Sequence, residues 1–101
     1  MITLCIRYTL DARKRPEFQR YAERITKIIP RCGGALVGYW LPTKFAGPTN
    51  FAVSLIDFPS LAAYEAYRAR LAADPDFVAA AHLAEDSILV EDRAFMEHVG
   101  S

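Results

Sequence analysis

The side chains with the clearest chemical potential are Arg7, Tyr39, Trp40, His82 and Asp92. Arg7 stands in an alternating run, Ile2-Thr3-Leu4-Cys5-Ile6-Arg7-Tyr8, where parity groups it with Thr3 and Cys5 and against Leu4, Ile6 and Tyr8. A guanidinium on a face that becomes dry needs a partner, because an unpaired buried charge costs several kcal/mol. Two readings follow. Arg7 forms a structural or interface ion pair with Glu91 or Asp92, or it anchors a small organic anion, since its planar fork matches the two oxygens of a carboxylate. Tyr39 and Trp40 are adjacent on an apolar run, so one must pack under whatever covers the sheet and the other must face away. Either ring can serve packing or ligand stacking. His82 falls within a structured element and reads as a packed or surface residue, with general base or haem ligand as the sharper alternative.

Other chemistry is poorly supported. Cys5 and Cys32 have no CxxC spacing and read as free thiols, Cys5 being a small buried hydrophobe without a base to activate it. His82 and His98 are far apart with no ligand-type spacing around them, so no metal site is expected. There is no glycine-rich phosphate loop, GxSxG, HExxH or EF-hand loop. No cofactor is expected.

The elements that must position these residues follow from periodicity. Ile2 to Leu10 alternates and reads as a strand. From Pro16 the spacing changes: Phe18, Tyr21, Ile25 and Ile28 form one stripe of a helix that Pro30 and Gly33-Gly34 should end. Ala35 to Leu41 is a second strand, Pro42 to Asn50 a loop, and Phe51 to Phe58 a third strand, apolar on both faces. Ser60 caps a second helix with a stripe of Leu61, Tyr64, Tyr67 or Arg68, and Leu71. Asp74-Pro75 restarts it, with Phe77, Val78, Ala81 and His82 on the apolar side. Ser87 to Phe95 is the last strand.

The order β-α-β-β-α-β predicts a single ferredoxin-like α+β domain over residues 1–101: one antiparallel four-stranded sheet with both helices on one face. The strands are apolar on both sides, and the chain is 52% apolar. Grease that two helices cannot cover calls for a partner, and a second copy of the same sheet is the simplest one. Two sheets packed in that way make a dimeric α+β barrel.

Certain runs are more specific than any periodicity. They are Gly38-Tyr39-Trp40-Leu41-Pro42, Phe58-Pro59-Ser60-Leu61-Ala62-Ala63-Tyr64-Glu65-Ala66-Tyr67-Arg68, Ala73-Asp74-Pro75 and Glu91-Asp92-Arg93-Ala94-Phe95. Together with Ile6-Arg7-Tyr8 and Gly33-Gly34, they give a chain that resembles the bacterial branch of the NIPSNAP family over nearly its whole length. The resemblance implies a dimeric barrel of ferredoxin-like halves. It implies no reaction and supplies no catalytic residue. Related barrels include cofactor-free quinol monooxygenases and haem-handling proteins, an analogy at the level of fold. The 42–50 loop is bulkier and more apolar than the family pattern, and Ala84-Glu85-Asp86 is shorter, so any pocket mouth would differ.

Charge narrows the partners. Lys+Arg and Asp+Glu number 12 each, so the net charge is zero. A nucleic-acid binder would carry a basic excess, and no run approaches the roughly 20 apolar residues of a membrane span. The chain reads as cytoplasmic, partnered with itself, and without nucleic-acid or membrane partners. Two functions remain. One is a small-molecule-binding or accessory module with a pocket inside the barrel, taking an organic anion or an aromatic compound. The other is a cofactor-independent monooxygenase or isomerase acting on an aromatic or quinone-like compound.

Overall fold

The computed structural model describes residues 1–100. Alternation produces β1 (Ile2–Leu10), whose Leu4, Ile6, Tyr8 and Leu10 are all buried while Arg7 is exposed. The helical period then produces α1 (Arg15–Arg31), after a short 3-10 turn capped by Asp11. β2 (Ala35–Trp40) and β3 (Phe51–Phe58) follow, then α2 (Leu61–Ala73), α3 (Pro75–Ala84) and β4 (Ile88–Glu97). Among the described residues the strands form one sheet in the order β2-β3-β1-β4, every pair antiparallel. This is the ferredoxin-like α+β arrangement that the element order implies, with β4 beside β1. The smallest dimension of the molecule is 19 Å, the thickness of two layers.

Local signals end the helices where physical chemistry requires. The Ser60 hydroxyl accepts from the Ala63 N–H, and the Asp74 carboxylate accepts from the Asp76 and Phe77 N–H groups. Pro30 does not end α1; it lies inside the last turn, where it forfeits only its own N–H bond. The exit is made by Gly33 at φ 105°, with the Gly34 N–H donating to the Ile29 carbonyl at 3.0 Å and the Gly33 N–H to Pro30 at 3.2 Å.

The core lies between the helices and one face of the sheet. Phe18, Ile25, Ile28 and Ile29 of α1 meet Leu4, Ile6, Tyr8, Ile56 and Phe58. On α3 the buried positions are Ala80 and Ala84, with Phe77 half-buried, while Val78 and His82 face outward. The sequence expectation for this helix is therefore rotated. The small alanines set the stripe because α3 packs chiefly on α1, and their size admits a close approach. Leu61 is likewise exposed, and α2 buries only Tyr67 and Leu71.

The other face of the sheet has no helix over it. Thr3, Cys5 and Arg7 of β1 lie there beside Phe51, Val53 and Leu55 of β3 and Val90, Asp92 and Met96 of β4. No helix is long and apolar enough to cross a membrane.

Candidate functional site

The sheet sorts the five sequence candidates by face. β2 carries a bulge between Leu36 and Gly38, after which Tyr39 pairs with Ser54 and Trp40 with Val53. Ser54 is fully buried under the helices, so Tyr39 points there and Trp40 to the uncovered face, where it is half exposed. The Trp40 ring lies over Gly38: an added Cβ at that glycine would come within 2.5 Å of Trp40 Cη2. Asp92 stands directly across from Arg7 on β4, whereas Glu91 stands across from Tyr8 on the helix side. The Arg7 guanidinium is not buried in the single chain, so it needs no carboxylate; it lies over the Phe51 ring, 5.2 Å from the centroid. His82 is 84% exposed, with Nδ1 3.2 Å from Glu85 Oε2. Arg7, Trp40 and Asp92 thus share the open face, Tyr39 is under the helices, and His82 is on the outside of α3.

Tyr39 belongs to a buried polar cluster. Its hydroxyl shares a 2.5 Å hydrogen bond with the Tyr8 hydroxyl, and the Tyr8 oxygen lies 3.4 Å from Ser54 Oγ. Phe18 supports the cluster from α1, its ring centroid 5.1 Å from Tyr8, 5.8 Å from Tyr21 and 6.2 Å from Tyr39. A cavity of about 40 Å³ adjoins these groups. Tyr8, Tyr21, Tyr39, Ser54 and Tyr67 supply its hydroxyls, and the solvent-reaching Arg68 and Arg93 complete the wall. The rest is apolar, including Ile6, Leu71 and Phe77. The volume suits a water or two, at roughly 30 Å³ each, and falls well below the roughly 300 Å³ of an open ligand pocket.

Electrostatics keep these phenols protonated. Burial raises the pKa of Tyr8 and of Tyr21, and it holds that of Tyr39 well above the usual phenol range. Tyr67 is pushed up to about 12, chiefly by burial, with Arg93 and Arg68 acting in the opposite direction. Arg93 donates from Nε to Glu91 Oε2 at 2.8 Å. The wall therefore presents neutral hydroxyl donors and two guanidinium groups, with no carboxylate among the lining residues. Among the described residues no three His, Cys, Asp or Glu side chains gather in a metal-binding group.

Tyr8, Ser54, Tyr67 and Arg93 escaped the sequence analysis as site residues. One signal was available: Ser54 interrupts an otherwise apolar buried face of β3 formed by Ala52, Ile56 and Phe58. A buried hydroxyl in such a place needs a hydrogen-bonding partner.

Solved structures share this arrangement. Protein Atu4242 from Agrobacterium tumefaciens superposes with a TM-score of 0.87 at 29% identity, over 99% of this chain and 95% of that one. An uncharacterised NIPSNAP domain protein from Burkholderia xenovorans gives 0.83 at 24% identity, over 99% and 96%. SnoaB, a cofactor-independent oxygenase from Streptomyces nogalater, gives 0.68 at 18% identity, over 99% and 94%, a likeness of fold. No curated protein matches the chain. The NIPSNAP family model matches residues 3–100, and on that full-length match, with the ferredoxin-like sheet and its helical cover in place, the chain belongs to the NIPSNAP family.

Proposed function

We propose that the chain works as a homodimeric small-molecule-binding module of the cytoplasm, in which each subunit binds its ligand at the tyrosine-lined cavity. The observation that carries this reading is the cluster of Tyr8, Tyr39 and Ser54 hydroxyls bordering a void inside an apolar core. Convergent polar groups in an apolar wall are the usual make-up of a ligand site. The void is small, but α2, which forms one wall through Tyr67, Arg68 and Leu71, buries few side chains of its own. A helix held by so little apolar area is the element best able to yield to a ligand.

The dimer rests on the uncovered sheet face. Phe51, Val53 and Leu55 of β3 are only half-buried there, and Trp40 and Met96 are at least half exposed. A second copy, sheet against sheet, would bury this surface and would enclose Arg7 and Asp92 near the seam. A cytoplasmic setting suits the thiols of Cys5, on that face, and Cys32, at the far end of α1.

Two measurements test the reading. A thermal-shift screen of small carboxylates, phenols and quinols should raise the melting temperature of the native chain and fail to do so for Ser54→Val, which fills part of the cavity and removes one hydroxyl. No shift with any compound would refute the pocket. Sedimentation at micromolar concentration should give the mass of two chains, and Leu55→Lys should give that of one; a native monomer would refute the dimer.

A cofactor-independent oxygenase acting on an aromatic compound is the second reading, favoured by the fold shared with SnoaB. Oxygen uptake in the presence of quinols, abolished in Tyr39→Phe, would support it.

A further inference from the structure

We infer that the uncovered sheet face seats the same face of a second copy about a two-fold axis running along the strands, and that Arg7 of each subunit pairs there with Asp92 of the partner subunit. The inference rests on the chain being a homodimer and adds to that reading a geometry and a source of specificity.

The charged side chains of this face are Arg7, Asp57 and Asp92. Asp57 lies at one end of β3, where the Thr3 hydroxyl donates to it. Arg7 and Asp92 lie further in, directly across from each other on β1 and β4. They form no ion pair within the chain. The guanidinium leans the other way, over the Phe51 ring of β3. Among the described residues nothing pairs with the Asp92 carboxylate. In water that arrangement costs little, but under a dry cover each charge needs an opposite one. A cation on one side of β1 and an anion on the other make the face complementary to itself.

Bulk is distributed in the same uneven way. The β2–β3 half carries Trp40, Phe51, Val53 and Leu55. The β1–β4 half carries Thr3, Cys5, Thr9 and Ala94, with Val90 and Met96 only towards the two ends of β4. Stacked sheets keep their strands within about 30° of each other and interdigitate their inner side chains. A two-fold axis along the strands lays the bulky half of each sheet over the lean half of the other. An axis across the strands would instead set bulky half against bulky half. The along-strand axis also carries the β4 side of one sheet over the β3 side of its partner. The guanidinium held above β3 then meets the carboxylate on the facing β4. Because the contact is isologous it forms twice, and the seam carries no net charge from these residues.

Charge reversal in the full-length chain, followed by sedimentation velocity across a concentration series, tests both the face and the partner. Arg7→Asp and Asp92→Arg should each weaken dimerisation at least about 100-fold, since each breaks two enclosed pairs and brings like charges together. An equimolar mixture of the two variants should dimerise again, with one chain of each kind, because both contacts across the seam then join opposite charges. Native mass spectrometry with one variant ¹⁵N-labelled identifies that mixed dimer. A pair formed within each chain gives the reverse result, because residues 7 and 92 carry like charges in each variant. A mixture that stays monomeric would therefore overturn the pair across the seam. Dimerisation of the doubly changed chain, Arg7→Asp with Asp92→Arg, would then place the pair within one chain and leave the dimer standing. Unweakened dimers of both single variants would overturn the docking of this face, and a native chain that sediments as a monomer would overturn the dimer itself.

Discussion

The hydroxyls of Tyr8 and Tyr39 are hydrogen-bonded 2.5 Å apart, although β1 and β2 are not neighbours in the sheet. β3 lies between them, and its residue at the crossing point is Ser54. The two rings meet above a side chain small enough to let them pass, with interplanar angle 23° and centroids 5.8 Å apart. A larger residue at 54 would occupy the space in which the hydroxyls meet.

This geometry makes a double-mutant cycle informative. Tyr39→Phe removes one buried hydrogen bond and should cost about 1 kcal/mol. Tyr8→Phe removes its contacts to both Tyr39 and Ser54 and should cost more, about 1–3 kcal/mol. Urea denaturation of the single and double variants should show that the double costs less than the sum. Strict additivity would mean that the pair contributes no coupling.

Alkaline titration tests the burial of the phenols. The folded-state pKa of Tyr8, Tyr21, Tyr39 and Tyr67 is raised above the free value near 10, for Tyr67 to about 12. A raised acid favours the folded protonated form, so its stabilising contribution is complete below about pH 10 and is lost as pH climbs towards 12. Absorbance at 295 nm should therefore lag behind that of the unfolded chain above pH 10, then rise as the protein unfolds. Full ionisation of all five tyrosines near pH 10 in the folded state would contradict the burial.

The acid side turns on Asp74. Its carboxyl is held below the usual range, first by the hydrogen bond from Arg31, whose Nη2 lies 2.7 Å away, and then by the α3 backbone N–H groups. A depressed carboxyl contributes above its unfolded pKa, near 3.9, and loses that contribution as pH falls through the lower folded value. Asp74→Asn keeps a competent cap but has no charge to lose. Its melting temperature should be lower than that of the native chain at pH 7 and the gap should close below pH 3. A gap independent of pH would remove the ion pair from the explanation.

The rotated face of α3 can be checked by paired substitutions. Ala80 is fully buried and Val78 is 56% exposed. Ala80→Leu should overpack the α1 contact and cost about 1–3 kcal/mol. Val78→Ala should stay within about 0.5 kcal/mol of native. Chemical denaturation of both variants decides, and a reversed order would return the helix to the orientation expected from hydrophobicity alone.

That misreading shows where pattern analysis fails. Among the larger residues of α3, Val78 and His82 fall into one apparent stripe with Phe77 and Ala81. The true stripe is made of alanines, which carry little hydrophobic signal and are buried because they let two helices approach. Pro30 misled for a related reason. Proline punctuates helices, yet near a C-terminus the conformation of the next glycine decides where the chain turns. The site was less legible still. Arg93 and Tyr67 come from a strand and a helix that only folding brings to one wall, and no spacing in the chain joins them.

The chain alone determined the element order, the caps at Ser60 and Asp74, and a sheet apolar on both sides, because periodicity and capping are local properties read within one turn or one strand. It also determined that Tyr39 and Trp40 must part company. Which of them would lie with Tyr8 was decided by the bulge after Leu36, which puts Leu36 and Tyr39 on the same side despite their odd separation. Register is a property of two strands in contact, and a single inserted residue reverses every side chain that follows it.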